Sequence, residues 1–199
     1  MPDGPLGEFI FIYAPGAGSN VNDGFGSHLS HTLGAKGISS VRFQFPYMEA
    51  RRRRPDSRPV LEDTWRSVIK EVGAKGLKLV IGGRSMGGRI ASQVVAQGVE
   101  AEALALFAYP LHPPGKPSQW RDEHLPDINV PTLFCSGTRD TFATPEELET
   151  VAARIPDATV HILNGADHGF SVLKSSDRTR QDIWDEAIGV LLNWMDNLD

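Results

Sequence analysis

An α/β fold, with about six mostly parallel strands and helices on both faces, is predicted by three features of the sequence. Six short apolar runs alternate with segments of helical periodicity. Glycine-rich turns close several of the runs. No linker or low-complexity stretch interrupts the alternation. Alternating strand and helix patterns build a parallel sheet whose crossovers carry helices to both faces. The 199 residues suffice for one domain with a full core, so a single domain over 1–199 is expected.

The elements follow in order. "EFIFIYA" (8–14) is the first strand, and a helix follows a glycine-rich turn near 22–35. "VRFQF" (41–45) is the second strand, and 60–73 reads as a helix. "LKLVIGG" (77–83) is a strand rich in branched residues; Ile90, Ala91, Val94 and Val95 beyond it fall at helical spacing. "ALALFAY" (103–109) and "PTLFCSG" (131–137) are strands. "TPEELETVAARI" starts a helix with Thr144 as cap, Pro145 at the first position and Glu147 completing a capping box. "TVHILNG" (159–165) is the last strand. The last helix, near 178–197, buries a stripe of Ile183, Ala187, Val190, Leu191, Trp194 and Leu198. "GAKG" recurs at 34–37 and 73–76, read as one type of helix ending used twice, with a lysine in the last turn and a left-handed glycine after it.

Composition narrows the function classes. Hydrophobic residues are 40% and charged residues 23%, ordinary for a globular chain. A net charge of −5 gives no global attraction to nucleic acid or anionic membranes. No apolar run approaches the roughly 18 residues of a membrane span, and the start of the sequence lacks a leader pattern. The lone Cys135 permits no internal disulfide, which suits a cytoplasmic location. No His/Cys/carboxylate cluster has metal-ligand spacing, so neither a metal nor another cofactor is expected.

"IGGRSMGG" (81–88) carries the chemistry. A sharp strand-to-helix turn lifts its central side chain, and the residues two before and two after must be small. Gly83 and Gly87 meet that demand around Ser85, a G-x-S-x-G nucleophile elbow. A serine hydroxyl needs a base, and the base an orienting acid. Of six histidines, His168 in "NGADHGF" directly follows the last strand at the carboxyl edge of the sheet. Asp140 in "LFCSGTRD" follows the preceding strand, between serine and histidine in chain order. Asp167 is the rival, but side chains of neighbouring residues diverge. Two backbone donors for an oxyanion are expected from Met86, after the nucleophile, and Ala17 in "APGAGSN", with Gly18 as the alternative. That loop lacks the G-x-G-x-x-G spacing and the lysine of nucleotide-binding loops.

"GRSMGG", "SGTRD" and "GADHGF", in that order and strand context, resemble the α/β-hydrolase superfamily along essentially the whole chain. "FQFPYMEARRRRPD" and "AYPLHPPGKP" resemble a small lidless branch related to dienelactone hydrolases. That branch includes the hydrolase-like subunit of the nonspecific lethal chromatin complex. The resemblance implies an α/β-hydrolase fold without a cap domain and a triad of Ser85, His168 and Asp140. Two departures stand out. Dienelactone hydrolase uses a cysteine where Ser85 stands, and the superfamily's first two strands have no counterpart here.

Gly18, Tyr47, Tyr109 and His112 lie on loops at the same edge and are candidates for the substrate pocket. The run Arg51–Arg54 reads either as an attractor of acidic substrates or as a solvated loop. The expected activity is hydrolysis of a small carboxylic ester or thioester through an acyl-enzyme. A catalytically silent interaction module and an acyltransferase using the same triad are the alternatives. The expected partner is a small-molecule acyl substrate, with neither nucleic acid nor membrane. Only 110–130 is available for a lid, and the return crossover consumes most of it.

Overall fold

The computed structural model describes residues 5–74 and 76–198. Six strands, β1 (Phe9–Ala14), β2 (Ser39–Arg42), β3 (Lys78–Arg84), β4 (Ala103–Phe107), β5 (Thr132–Arg139) and β6 (Ala158–Asp167), form one sheet. Its order is β2-β1-β3-β4-β5-β6 and every neighbouring pair is parallel. Among the described residues six α-helices cover the sheet: α1 (Gly24–Ala35), α2 (Pro46–Glu49), α3 (Arg58–Val72), α4 (Met86–Ala96) and α5 (Pro145–Ala152) between strands, and α6 (Arg180–Met195) after the last strand.

Period-two alternation sorts each strand between two cores. Ile10, Ile12 and Ala14 of β1 join Leu104 and Leu106 of β4 beneath α2, α3, α4 and α5. Phe9, Phe11 and Tyr13 join Ala103, Ala105 and Phe107 beneath α1 and α6. β1 and β3 to β5 are therefore apolar on both faces, as strands of a doubly covered sheet must be. Burying a phenylalanine or leucine side chain in this way contributes about 1.5–3 kcal/mol.

Capping fixes where the helices begin. Thr144 Oγ1 accepts from Glu147 N–H at 3.3 Å while Glu147 Oε2 accepts from Thr144 N–H at 2.8 Å, the expected reciprocal box. Thr179 and Asp182 form a second one at the start of α6, with aspartate in place of the usual Glu or Gln.

Some elements differ from the expectation. β2 ends at Arg42, not at residue 45. Phe43 N–H donates once more to Tyr13 O at 3.2 Å, and Pro46 then opens α2 with Phe45 as its cap. A proline at the first helical position is pre-set for helix and cannot donate to a ladder. β6 runs on to Asp167, which brings it to the edge of the site. On α6 the buried stripe is Ile183, Ala187, Ile188, Leu191 and Met195. Val190, Trp194 and Leu198 are only partly buried. The two "GAKG" stretches are not equivalent. Lys36 caps α1 and Gly37 follows at φ 80°, whereas α3 is capped by Gly73 itself at φ 59°. Lys75 lies outside the described residues.

The order reverses direction at β1, which pairs with β2 on one side and β3 on the other. The crevice at such a switch point, beyond the carboxyl ends of the strands, is where open α/β sheets bind ligands. The loop after β1 and the turn after β3 both open there. Between β4 and β5, residues 108–131 hold only a one-turn 3₁₀ helix, Leu125–Asp127. Among the described residues no helix is long and apolar enough to cross a membrane.

Candidate active site

Ser85 stands at the carboxyl end of β3 as the cap of α4, at φ 52° and ψ −121°. Positive φ is uncommon outside glycine and stores strain of order 1–3 kcal/mol. The neighbouring glycines make the turn sterically feasible. A Cβ on Gly83 would lie 2.3 Å from Ala14 O, and one on Gly87 would lie 2.2 Å from the same oxygen. β1 thus presses against both sides of the elbow. Gly82 and Gly88 are equally tight against Ala105 O and Gly83 O. Ser85 N–H is held by Phe107 O at 2.8 Å.

His168 follows β6 directly. Its Nε2 lies 2.8 Å from Ser85 Oγ, and its Nδ1 lies 2.8 Å and 3.0 Å from the two oxygens of Asp140. Asp140 is buried, and its Oδ1 also accepts from Phe142 N–H at 2.8 Å. That second donor fixes the carboxylate plane. The Phe142 ring stacks on the imidazole at 4.0 Å between centroids, with 22° between planes. One short loop thus holds the histidine from two directions. Asp167 is occupied elsewhere: its Oδ1 accepts from Gly169 N–H at 2.8 Å and Ser171 N–H at 2.9 Å, shaping the loop that carries His168.

The loop after β1 comes close to the serine: a Cβ on Gly16 would be 3.4 Å from Ser85 Cβ. Ala17 and Gly18 line the cavity with Met86. Among the described residues, neither Ala17 N–H nor Met86 N–H has a hydrogen-bond acceptor. Met86 is the first residue of α4, where N–H groups lack helical partners and the dipole is positive. The arrangement offers two donors to a negative oxygen formed beside Ser85.

Of the four pocket candidates, only Gly18 lines the cavity. Tyr47 lies beneath the β1 loop, fully buried. Its hydroxyl donates to Ala17 O at 2.8 Å and its backbone N–H donates to Asp56 Oδ2 at 2.9 Å. Burial, with the Asp56 carboxylate second, pushes its phenol up to about 12, so it remains a donor. Tyr109 is buried with its hydroxyl on Arg121 O at 3.1 Å. His112 is buried with its Nε2 3.5 Å from Glu147, and its backbone N–H donates to Phe142 O at 3.2 Å. These three side chains support loops and do not face the cavity. Arg51–Arg54 are exposed, and none of them lines the cavity.

The cavity occupies about 620 Å³ and is open to solvent. Phe142, Leu61, Ile90 and Pro110 are apolar parts of its wall; sequence singles out neither Phe142 nor Leu61, and Ile90 only as part of a helical stripe. Arg58, Arg84, Arg89 and Arg121 also line it. Arg84 faces Asp23 at 3.8 Å.

A family model described as an alpha/beta hydrolase domain matches residues 7–196. Solved structures share the fold. An α/β serine hydrolase without lid, XC6422 from Xanthomonas campestris, superposes with a TM-score of 0.74 at 20% identity, over 98% of this chain and 85% of that one. An α/β serine hydrolase homologue from Coxiella burnetii gives 0.70 at 20% identity, over 94% and 84%. Est1E from Butyrivibrio proteoclasticus gives 0.72 at 12% identity, over 94% and 88%. With the elbow after β3 and a family match across nearly its whole length, this chain belongs to the alpha/beta hydrolase family.

Proposed function

We propose that the protein is a serine hydrolase acting on small carboxylic esters or thioesters. The observation that carries this reading is the continuous relay from Ser85 Oγ through His168 to Asp140, each link at hydrogen-bond distance. In this mechanism Ser85 Oγ attacks the acyl carbonyl as His168 Nε2 takes its proton. The carbonyl oxygen becomes an oxyanion and accepts from Ala17 N–H and Met86 N–H. Asp140 holds Nδ1–H and stabilises the imidazolium. His168 then returns the proton to the leaving oxygen or sulfur, the C–O or C–S bond breaks, and an acyl-enzyme remains. Water, deprotonated by His168, attacks the acyl carbon; collapse releases the acid and restores the Ser85 hydroxyl.

The esterase and serine hydrolase names of several structural neighbours are consistent with this chemistry. The β4–β5 connection, whose one regular element is a one-turn 3₁₀ helix, supports an uncapped site, as in the lidless relative. An open cavity buries little of a long acyl chain, and each methylene it does bury contributes about 0.8 kcal/mol. Acyl groups of about two to four carbons are therefore preferred by this reading. The test is kcat/KM across nitrophenyl esters of rising chain length, with a search for a pre-steady-state burst of nitrophenol. A maximum at short chains and no rate jump at the solubility limit support the reading. A steady rise through long chains, or activation at an emulsion surface, contradicts the open site; no turnover of any ester contradicts the hydrolase. Burial of Cys135, whose thiol is pushed up by desolvation, leaves no reactive cysteine to replace Ser85.

A further inference from the structure

The chain is acidic overall, yet its cavity is basic. Arg58, Arg84, Arg89 and Arg121 line it against one carboxylate, Asp56, which already pairs with Arg52 at 2.6 Å and accepts from Tyr47 N–H. Two of the four cations are matched: Arg58 pairs with Glu62 at 2.5 Å and Arg84 faces Asp23 at 3.8 Å. Among the described residues, Arg89 and Arg121 have no carboxylate within 4.0 Å. Arg89 Nε is buried and has no hydrogen-bond partner among the described residues. Leaving a buried charged donor unsatisfied is costly, and proteins retain such a group where a ligand completes it.

Arg89 is also well placed. It lies four residues after Ser85, and its N–H donates to Ser85 O at 3.0 Å. Residues so spaced share a helix face, with Cβ atoms about 5–6 Å apart. Helical side chains lean toward the N-terminus, here toward the nucleophile. Arg121 reaches the same cavity from the β4–β5 connection. Burial, and then the like charge of Arg121, lower the affinity of Arg89 for its proton; Arg58 acts in the same sense and Tyr109 and Glu62 oppose it. An anion between the two guanidiniums would relieve both the repulsion and the missing bond.

We infer that the cavity binds a substrate carrying an anionic group, a carboxylate or phosphate, which Arg89 and Arg121 grip within about one helical turn of the acyl carbon. This rests on the hydrolase reading and adds a substrate class to it. The anion has two sources, the acyl part or the leaving group, and the two give different kinetics. An acyl-side anion remains bound in the acyl-enzyme, whereas a leaving-group anion departs in the first step.

The test compares anionic esters with their methyl-capped counterparts at low salt. One arm uses the 4-nitrophenyl monoester of glutaric acid against its methyl diester. The other uses the butyrate ester of 4-hydroxybenzoate against that of its methyl ester. In one arm the anion should be preferred in kcat/KM by about tenfold or more, as for a charge-assisted hydrogen bond. Arg89→Met and Arg121→Met should each pull that ratio toward one, Arg89→Lys should keep part of it, and added salt should erode it. The ratio is read within each variant, so a change in the amount of folded protein cancels. Preference for the capped esters in both arms, or an unchanged ratio in Arg89→Met and Arg121→Met, overturns the inference. Calorimetric titration of Ser85→Ala with monomethyl glutarate and with 4-hydroxybenzoate separates the two claims. Binding that Arg89→Met abolishes, together with a wild-type protein that turns over no ester, retains the anion site and overturns the hydrolase.

Discussion

Replacing Asp140 by asparagine tests the relay through one proton. Asp140 Oδ1 accepts from Phe142 N–H at 2.8 Å, so that position must remain an oxygen in the amide. The NH₂ group therefore takes the place of Oδ2, 2.8 Å from His168 Nδ1. Two donors cannot face each other, so Nδ1 gives up its proton and the imidazole carries it on Nε2. Nε2–H cannot accept the proton of Ser85, whose Oγ lies 2.8 Å away. Size, burial and the Phe142 bond are all preserved, so the loss is one of tautomer and not of fold. The expected fall in kcat is on the order of 10⁴, the magnitude known for this change in a serine protease triad. That corresponds to about 5.5 kcal/mol of transition-state stabilisation, since each tenfold is about 1.4 kcal/mol. Residual turnover should persist, because the Ala17 and Met86 donors are untouched. The assay is single-turnover hydrolysis of a short nitrophenyl ester, with thermal unfolding as a control on folding. Asp167→Asn keeps an acceptor oxygen for Gly169 and Ser171 and should lose less than about tenfold on the same view. A loss below tenfold in Asp140→Asn, or the reverse ranking of the two variants, would refute the assignment of the acid.

Further outcomes follow from other contacts. Tyr47→Phe deletes the hydroxyl bond to Ala17 O and should lower kcat several-fold, about 1 kcal/mol, while KM changes little, because the proposed oxyanion donor Ala17 N–H is carried by the β1 loop. Gly87→Ala places a Cβ 2.2 Å from Ala14 O and should lower the unfolding midpoint in urea by an amount equivalent to at least about 1–3 kcal/mol; a variant of native stability would contradict the close packing of the elbow. His124, with Nε2 2.8 Å from Ser92 Oγ, is pushed down to about 4 by burial, then by Arg58 and Arg89. In the unfolded chain it protonates near 6.5, so the unfolded state binds more protons below that pH and stability falls from about pH 6.5 to about pH 4. The loss is at most about 3 kcal/mol, and urea unfolding at pH 7 and pH 4.5 should show a smaller drop in His124→Gln than in the parent.

The strand-helix alternation and the elbow were legible because each depends on local pattern. Gly83 and Gly87 had to be small for contacts of which the tightest, for both, is with Ala14 O. His168 and Asp140 were accessible from chain order and strand ends, and their meeting needed only the sheet order. β2 was misjudged because "VRFQF" alternates apolar and polar residues with strand periodicity to its end, while the stopping signal was the Pro46 beyond it. Tyr47 on the short helix α2, and Tyr109 and His112 on the loop after β4, occupy the correct edge, but sequence does not say which side a side chain takes. All three turned inward, where the first two found carbonyl oxygens and His112 the Glu147 carboxylate. The arginines misled in the same way. The visible run Arg51–Arg54 is solvated, whereas Arg58, Arg84, Arg89 and Arg121 converge from three helix or strand ends and one long connection. No local pattern links them. Phe142 is a comparable case, since its stacking on His168 depends on the fold of one loop against another.

The central claim is that Ser85, activated by His168 and Asp140, is a nucleophile. An aryl phosphonate that mimics the tetrahedral intermediate tests this without knowledge of the substrate. The protein should gain the mass of a single phosphonyl group, mapped to Ser85, and Ser85→Ala should gain none. Labelling should slow markedly in Asp140→Asn, which leaves the hydroxyl present but without its base. An unlabelled wild-type protein at high probe concentration, or a label on any other residue, would contradict the account.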